Sequence, residues 1–485
     1  MAKTLNELGA KLLAQLYEIV TGGDGQVPRS RDNFLSWCTP GIPFTPEDFA
    51  FCVKGLGGGA TAEEEKLLVQ QAFNFAQAVD FIPDATGVYM QDPQQAIFRT
   101  AEERMSHIYG EILRLSKVVA SDMTDEEKAN LEKFRNLLRV KKESKDLITG
   151  EVTEVTQDSP ALQAYNDKMS QFITAALAYN SKRVAAQTAT GADKAPVLDW
   201  TNNEKLYRLQ VKAAEDAWTT GGYRNDIDRM NAYINQVTQR SMLLWKQSLL
   251  EMYGDAKVAA MGPGQNFFYT SVIPGNFANS AGWTQFAMSH ETVDSSTLTK
   301  TNGFSVGGGV SFGLFSVGAN VRHESSDFKS DYAVSSFKLS FELTQTVISR
   351  PWFYPEFFMN RGWTLPKGAG WNYDKWPSDG TIPPDGCFIA YPTTILFARN
   401  IVVESADFAT AFKAHSSSTQ AGASVGWGPF SLSGSYHHGE QSTQFHSESD
   451  NQSVRVPGMQ IIGFVNHLVG KAPNPLPDLK DADFQ

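Results

Sequence analysis

Two stretches of this chain repeat one pattern: Val310 to Ser326, VSFGLFSVGANVRHESS, and Val425 to Ser442, VGWGPFSLSGSYHHGEQS. Val310/Val425, Gly313/Gly428, Phe315/Phe430, Ser316/Ser431 and His323/His438 are identical between them, while Phe312/Trp427 and Val317/Leu432 keep their character. Internal repetition marks a supersecondary unit used twice.

Side-chain parity says what the unit is. Phe304, Val306, Val310, Phe312 and Leu314 fall on one parity, with Ser305, Gly307, Gly309, Ser311 and Gly313 on the other. Beyond Gly313-Leu314 the parity inverts, and Phe315, Val317, Ala319 and Val321 are the apolar set. A tight reversal at that point returns all of them to one face. In the second copy Ala423, Val425 and Trp427 run up to Gly428-Pro429, and Phe430, Leu432 and Tyr436 run back between serines. Each arm is about ten residues, close to the roughly 9–11 that a tilted strand needs to cross a bilayer.

The rest of the 485 residues divides by composition. Up to about residue 262 the pattern is helical. Met1 to Val20 reads as an amphipathic helix; Thr61-Ala-Glu-Glu64, Thr124-Asp-Glu-Glu127 and Thr201-Asn-Asn-Glu204 read as capping boxes; Asp92-Pro93 and Ser159-Pro160 read as helix starts. Asp226 to Val258 carries one apolar stripe, predicting a single long helix. Thr149-Gly150 between short apolar runs predicts a small hairpin over 144–155. Near Met261-Gly-Pro-Gly264 helix formers give way to Gly, Ser, Thr and aromatics, and Phe337, Leu339, Phe341 and Leu343 alternate in strand fashion. The expectation is an α+β fold: a helical domain over 1–262, an antiparallel β domain over 263–470 with two pseudo-repeated long hairpins, and an extended tail over 471–485.

Between the copies, 351–384 holds Trp352, Phe353, Tyr354, Phe357, Phe358, Trp363, Trp371, Tyr373 and Trp376. Such density fits a packed irregular insert capping the sheet, a foot at the membrane surface, or a carbohydrate-stacking face.

Much chemistry is missing. GxSxG, P-loop and HExxH motifs are absent, as is GxGxxG after a strand, and so no enzyme activity or cofactor is expected. A net charge of −11 without a basic stripe argues against nucleic acid. No run reaches the 18 or so apolar residues of a spanning helix. Asn6, Glu7, Lys11 and Gln15 interrupt the first apolar stretch. The expectation is therefore synthesis in the cytoplasm without a signal peptide, with release by a non-classical route. Cys38, Cys52 and Cys387 are too scattered for a disulfide framework or a zinc site. His437, His438 and His446 do not converge from one strand, so no metal is expected. With His323 they are instead candidate pH sensors at the base of the apolar tips.

The run TLTKTNGFSVGGGVSFGLFSVGANVRHES resembles the insertion stems of β-pore-forming toxins: Ser/Thr/Gly-rich, alternating in polarity and apolar at the tip. The resemblance covers the two hairpins, about 303–326 and 421–442. Two such hairpins per protomer are similar to the plan of the perforin and cholesterol-dependent cytolysin families, whose signature residues are not evident here. It implies a toxin-like homo-oligomer, alone or with a second protein component, that inserts its hairpins into a lipid membrane. The inserting side chains are then Phe304, Val306, Val310, Phe312, Leu314, Phe315, Val317, Val321, Val425, Trp427, Phe430, Leu432 and Tyr436. The alternative is a non-catalytic assembly subunit or binding module in which the same hairpins pack as a β-sandwich.

Overall fold

The computed structural model describes residues 3–21, 32–84, 95–97, 100–101, 103–119, 125–145, 152–189, 195–238, 241–260, 265–291, 313–317, 326–330, 332–366, 371, 373–418, 424–438, 441–445 and 447–485. At its centre four strands follow one another as an antiparallel meander: Thr284–Ser289, Lys338–Ser349, Ala390–Glu404 and Ser453–Leu468. The alternation read from the sequence is the reason. Leu339, Phe341 and Leu343 are almost fully buried, while Lys338, Ser340 and Glu342 between them keep solvent contact. Asn33–Phe44 extends the sheet by pairing with the fourth strand, and Gln95–Ile97 pairs with its first half. The fold is α+β.

Both faces of the meander are covered. On one lie the N-terminal helix Leu5–Thr21, helix Ala406–Ser418 and a second sheet of Ser326–Ser330, Leu314–Val317, Ser424–Trp427, Phe430–His438 and Gln441–Phe445. Leu5, Leu8, Leu12, Leu13 and Leu16 share that core with Leu339, Phe341, Val403 and Ile462 of the meander. Helix Ala62–Val79 covers the other face, where Phe49, Phe75, Phe277 and Phe397 meet edge to face or tilted. At one end of the sheet the aromatic insert forms a third cluster with helices Met105–Leu115 and Met242–Asp255. Trp352, Phe357 and Trp363 are buried there, which favours the packed-cap reading of 351–384. Trp376 remains more than a third exposed.

Several local expectations hold. Thr61 Oγ1 accepts the Glu64 N–H, and Ser159 Oγ accepts from Leu162 ahead of Pro160 at the first helical position. The small hairpin forms from Arg139–Lys145 and Val152–Asp158. Others are corrected. Thr201 lies inside helix Ala195–Gly221, its hydroxyl donating to the Val197 carbonyl one turn back instead of capping. The stripe over 226–258 belongs to two helices, Arg224–Thr238 and Met242–Asp255; Ser241 ahead of the second has non-helical backbone, and Val258 sits in strand Lys257–Ala259. After Asp92-Pro93, which lies outside the described residues, the chain continues as strand Gln95–Ile97 and not as a helix.

Asn33–Phe44 reads poorly from sequence because Pro40, Gly41 and Pro43 look like breakers. The ladder skips from Trp37 to Ile42, so Pro40 and Gly41 fall in a bulge. Pro43 lies beyond the reach of the short strand Gln95–Ile97, where its missing N–H costs nothing. The tail over 471–485 is not extended throughout: it turns at Leu476–Leu479, forms a 3-10 helix at Asp481–Asp483, and is tied down where Val118 and Gln485 exchange two backbone hydrogen bonds.

Candidate insertion site at the meander end

All four meander strands end in one row. Ser289 pairs with Lys338, Lys338 with Glu404, and Glu404 with Ser453. From this row the chain makes two excursions, 290–337 between the first and second strands and 405–452 between the third and fourth. They are equal in length, and each carries one copy of the repeat. Their midpoints fall between Gly313 and Leu314 and between Gly428 and Pro429, the two reversal points read from the sequence.

Among the described residues, the second excursion includes helix Ala406–Ser418 and strands Ser424–Trp427, Phe430–His438 and Gln441–Phe445. Its base closes with Ser405 N–H donating to the Gln452 carbonyl. Helix Ala406–Ser418 starts with Phe408 N–H donating to Ser405 Oγ. Strands Ser424–Trp427 and Phe430–His438 then turn at Gly428-Pro429, where Gly428 has φ 54°, a left-handed conformation suited to glycine. Trp427 pairs with Phe430 and Gly426 with Ser431.

In the first excursion Leu314–Val317 is flanked on both edges, by Ser326–Ser330 and by Ser424–Trp427 of the second copy. The copies therefore meet as neighbours in one sheet. Leu314 pairs with Trp427 and Ser316 with Val425, putting Leu314, Val425 and Trp427 on one face; Phe315 points the other way, across Gly426. A Cβ on Gly426 would lie 2.7 Å from the Phe315 ring, so only glycine leaves room. Phe315 and Phe430, aligned in sequence, thus occupy different environments: Phe430 joins the shared core and Phe315 does not.

Of the candidate inserting residues, Leu314, Phe315, Val425, Trp427, Phe430 and Leu432 are buried. Val317, Tyr436, His437 and His438 lie in strands. Phe304, Val306, Val310, Phe312, Val321, His323 and His446 fall outside the described residues. Trp427 is the hub, with Phe337 at 5.5 Å, Phe408 at 5.4 Å and Phe430 at 6.2 Å between ring centres. Its indole N–H donates to the Leu5 carbonyl at 3.1 Å. A polar clamp holds the turn to the meander: Ser431 N–H donates to Gln460 Oε1 at 2.7 Å, and Gln460 Nε2 donates to the Ser431 carbonyl at 3.3 Å.

Two residues of this seam have roles that the sequence did not assign. Gln460 is the polar residue in the run Met459-Gln460-Ile461-Ile462, a signal for a buried amide with a fixed partner. His415 follows Phe408 and Phe412 at helical spacing, which places it on the inward face. Its Nε2 lies 2.8 Å from Ser316 Oγ, so it bridges the helix of one excursion and the strand of the other. Burial pushes its pKa below the ordinary imidazole value, against the opposing pull of the Phe315 carbonyl. A depressed pKa means the released state takes up a proton that the docked state resists. Docking therefore weakens as pH falls below the ordinary imidazole range and is unaffected above neutrality. Denaturation midpoints from pH 7.5 to 5 are expected to fall more steeply in the native protein than in His415→Gln. Parallel curves refute this.

Among the described residues no cluster of His, Cys, Asp or Glu has metal-binding spacing, and no helix is long and apolar enough to cross a membrane. No protein-family model matches this chain, and no curated protein or solved structure shows significant similarity to it.

Proposed function

We propose that this protein is a non-enzymatic pore former, which assembles into a homo-oligomer and converts its two excursions into membrane-inserted β-hairpins. The observation that carries this is one of register. Continuing the pairing Ser289↔Lys338 along the first excursion brings Gly313 opposite Leu314, and continuing Glu404↔Ser453 along the second brings Gly428 opposite Pro429. Each sequence-read reversal is thus where an in-register extension of the meander has to turn. The facing pairs then sort by polarity. Phe312 meets Phe315, Val310 meets Val317 and Val306 meets Val321; Ser311 meets Ser316 on the opposite face. In the second ribbon Trp427 meets Phe430 as it does in the docked hairpin, and once the bulge that now sets Val425 opposite Ser433 is drawn straight, Val425 meets Leu432 and Ser424 meets Ser433. A ribbon of this kind offers acyl chains one face and water the other.

Length is sufficient. An arm of about two dozen residues at ~3.3 Å each extends roughly 80 Å, against a hydrocarbon core of ~30 Å. Undocking each buried tip side chain costs about 1.5–3 kcal/mol, which lipid returns because acyl chains are also apolar. Open strand edges are not tolerated in hydrocarbon, so several protomers have to close one barrel. No cofactor, metal or nucleic acid enters this reading; a second protein component remains an alternative to self-assembly. The site of action is a target membrane reached by a non-classical route.

A second reading is favoured by the burial of Trp427, Phe430 and Leu432 between two face-packed sheets: a non-catalytic assembly subunit or binding module that keeps its sandwich-like packing. Single cysteines at Ser311, Phe312, Phe430 and Ser431, labelled with an environment-sensitive dye and mixed with vesicles, separate the two. Pore formation predicts dye release with blue-shifted emission at Phe312 and Phe430 and water-like emission at Ser311 and Ser431. Sealed vesicles with emission unchanged by lipid sink it.

A further inference from the structure

We propose that residues 3–21 are an autoinhibitory clasp that holds both excursions docked at once. Leu5 is where they are joined. Its N–H donates to the Tyr332 carbonyl in the first excursion at 3.0 Å, and its carbonyl accepts the Trp427 indole N–H from the second at 3.1 Å. Just before it, Lys3 and Thr4 form a two-residue ladder with Val334 and Ala333. Lys3 Nζ also donates to the His290 carbonyl, where the first excursion leaves the meander. Thr4 and Glu7 cap the helix reciprocally, Thr4 N–H donating to Glu7 Oε2 and Glu7 N–H to Thr4 Oγ1, which fixes the strand-to-helix turn. The leucines of the helix then fill the core that Leu314, Val425, Trp427, Phe430 and Leu432 also occupy.

Neither ribbon can zip onto the meander while this segment stays in place. The ladder at Ala333–Val334 ties up residues just ahead of Lys338, and the Leu5 carbonyl holds the tip of the other excursion. This role rests on the insertion reading for its purpose, but the clasp itself is a property of the water-soluble protein.

The Leu5–Tyr332 bond makes the adjacent pair Thr4/Ala333 the close, non-hydrogen-bonded kind, which suits a disulfide. Oxidised Thr4→Cys/Ala333→Cys is expected to release vesicle dye about a hundredfold more slowly than its reduced form, given the usual strength of such a link. Trp427→Phe, which keeps an aromatic ring but loses the N–H donor and part of the indole's volume, is expected to release dye at least about fivefold faster, the effect of one hydrogen bond with a small cavity added to it. Hydrogen exchange without lipid reads the clasp separately. Amides of 314–317 and 424–432 are expected to slow together when the disulfide forms. Unchanged exchange there overturns the clasp whether or not vesicles leak. Dye release at equal rates from the oxidised and reduced forms overturns it while leaving pore formation standing. Native protein that never releases dye, with exchange that slows on oxidation, overturns pore formation and leaves the clasp.

Discussion

Trp427→Ala is expected to lower unfolding stability by about 3–5 kcal/mol, the usual cost of emptying a fully buried aromatic site. The side chain is completely enclosed, touches Phe337, Phe408 and Phe430, and carries the hydrogen bond to Leu5. These partners come from the loop before the second meander strand, the excursion helix, the returning arm of the hairpin and the N-terminal helix, so the surroundings cannot all relax toward one cavity. Urea unfolding followed by circular dichroism measures the change. A loss below about 1 kcal/mol would mean that the hairpin tip is peripheral to the core, since ordinary surface changes fall in that range.

Gly41→Ala is the second large effect, at about 2–4 kcal/mol, from overpacking together with loss of the amide clamp. A Cβ there would stand 2.3 Å from Gln460 Oε1 and 2.7 Å from the Pro429 carbonyl oxygen. Room can be made only by turning the Gln460 amide away from Ser431 and lifting the Gly428-Pro429 turn off the sheet. Gly470→Ala is the control, because nothing lies within 4 Å of its added carbon. If insertion begins by releasing this turn, Gly41→Ala also speeds vesicle leakage at matched protein concentration. Equal stability of the two alanine variants would refute the close approach.

How much of this was legible in the sequence depended on the range of the interaction. Turns and caps depend on a few adjacent residues, and the reversal at Gly428-Pro429, the caps at Thr61 and Ser159 and the small hairpin near Thr149-Gly150 were readable for that reason. Parity was readable too, as in Leu339, Phe341 and Leu343. Which strand lies beside which was not. Periodicity assigns a face but no neighbour, so it did not foretell that Leu314–Val317 pairs with Ser424–Trp427 or that the aligned Phe315 and Phe430 diverge. Asn33–Phe44 was hidden by its own prolines, tolerated only because of the bulge and a short neighbouring strand. Thr201 shows the opposite failure: a good local cap signal overruled by helix that had already begun at Ala195. Gln460 and His415 did leave signals, a polar residue in an apolar run and a histidine at helical spacing from two phenylalanines, but only the tertiary structure supplies Ser431 and Ser316 as their partners.

The row where the four strands stop carries Lys338 and Glu404 side by side, their charges 3.3 Å apart and open to solvent. Anything added below it starts from a common baseline. Two ribbons cut to the same length and hung from that line would reach the same depth, and every copy in a ring would repeat the measure. If the excursions do convert, the finished wall should have a level lower hem, with the Gly313-Leu314 and Gly428-Pro429 bends alternating around it like stitches of one size.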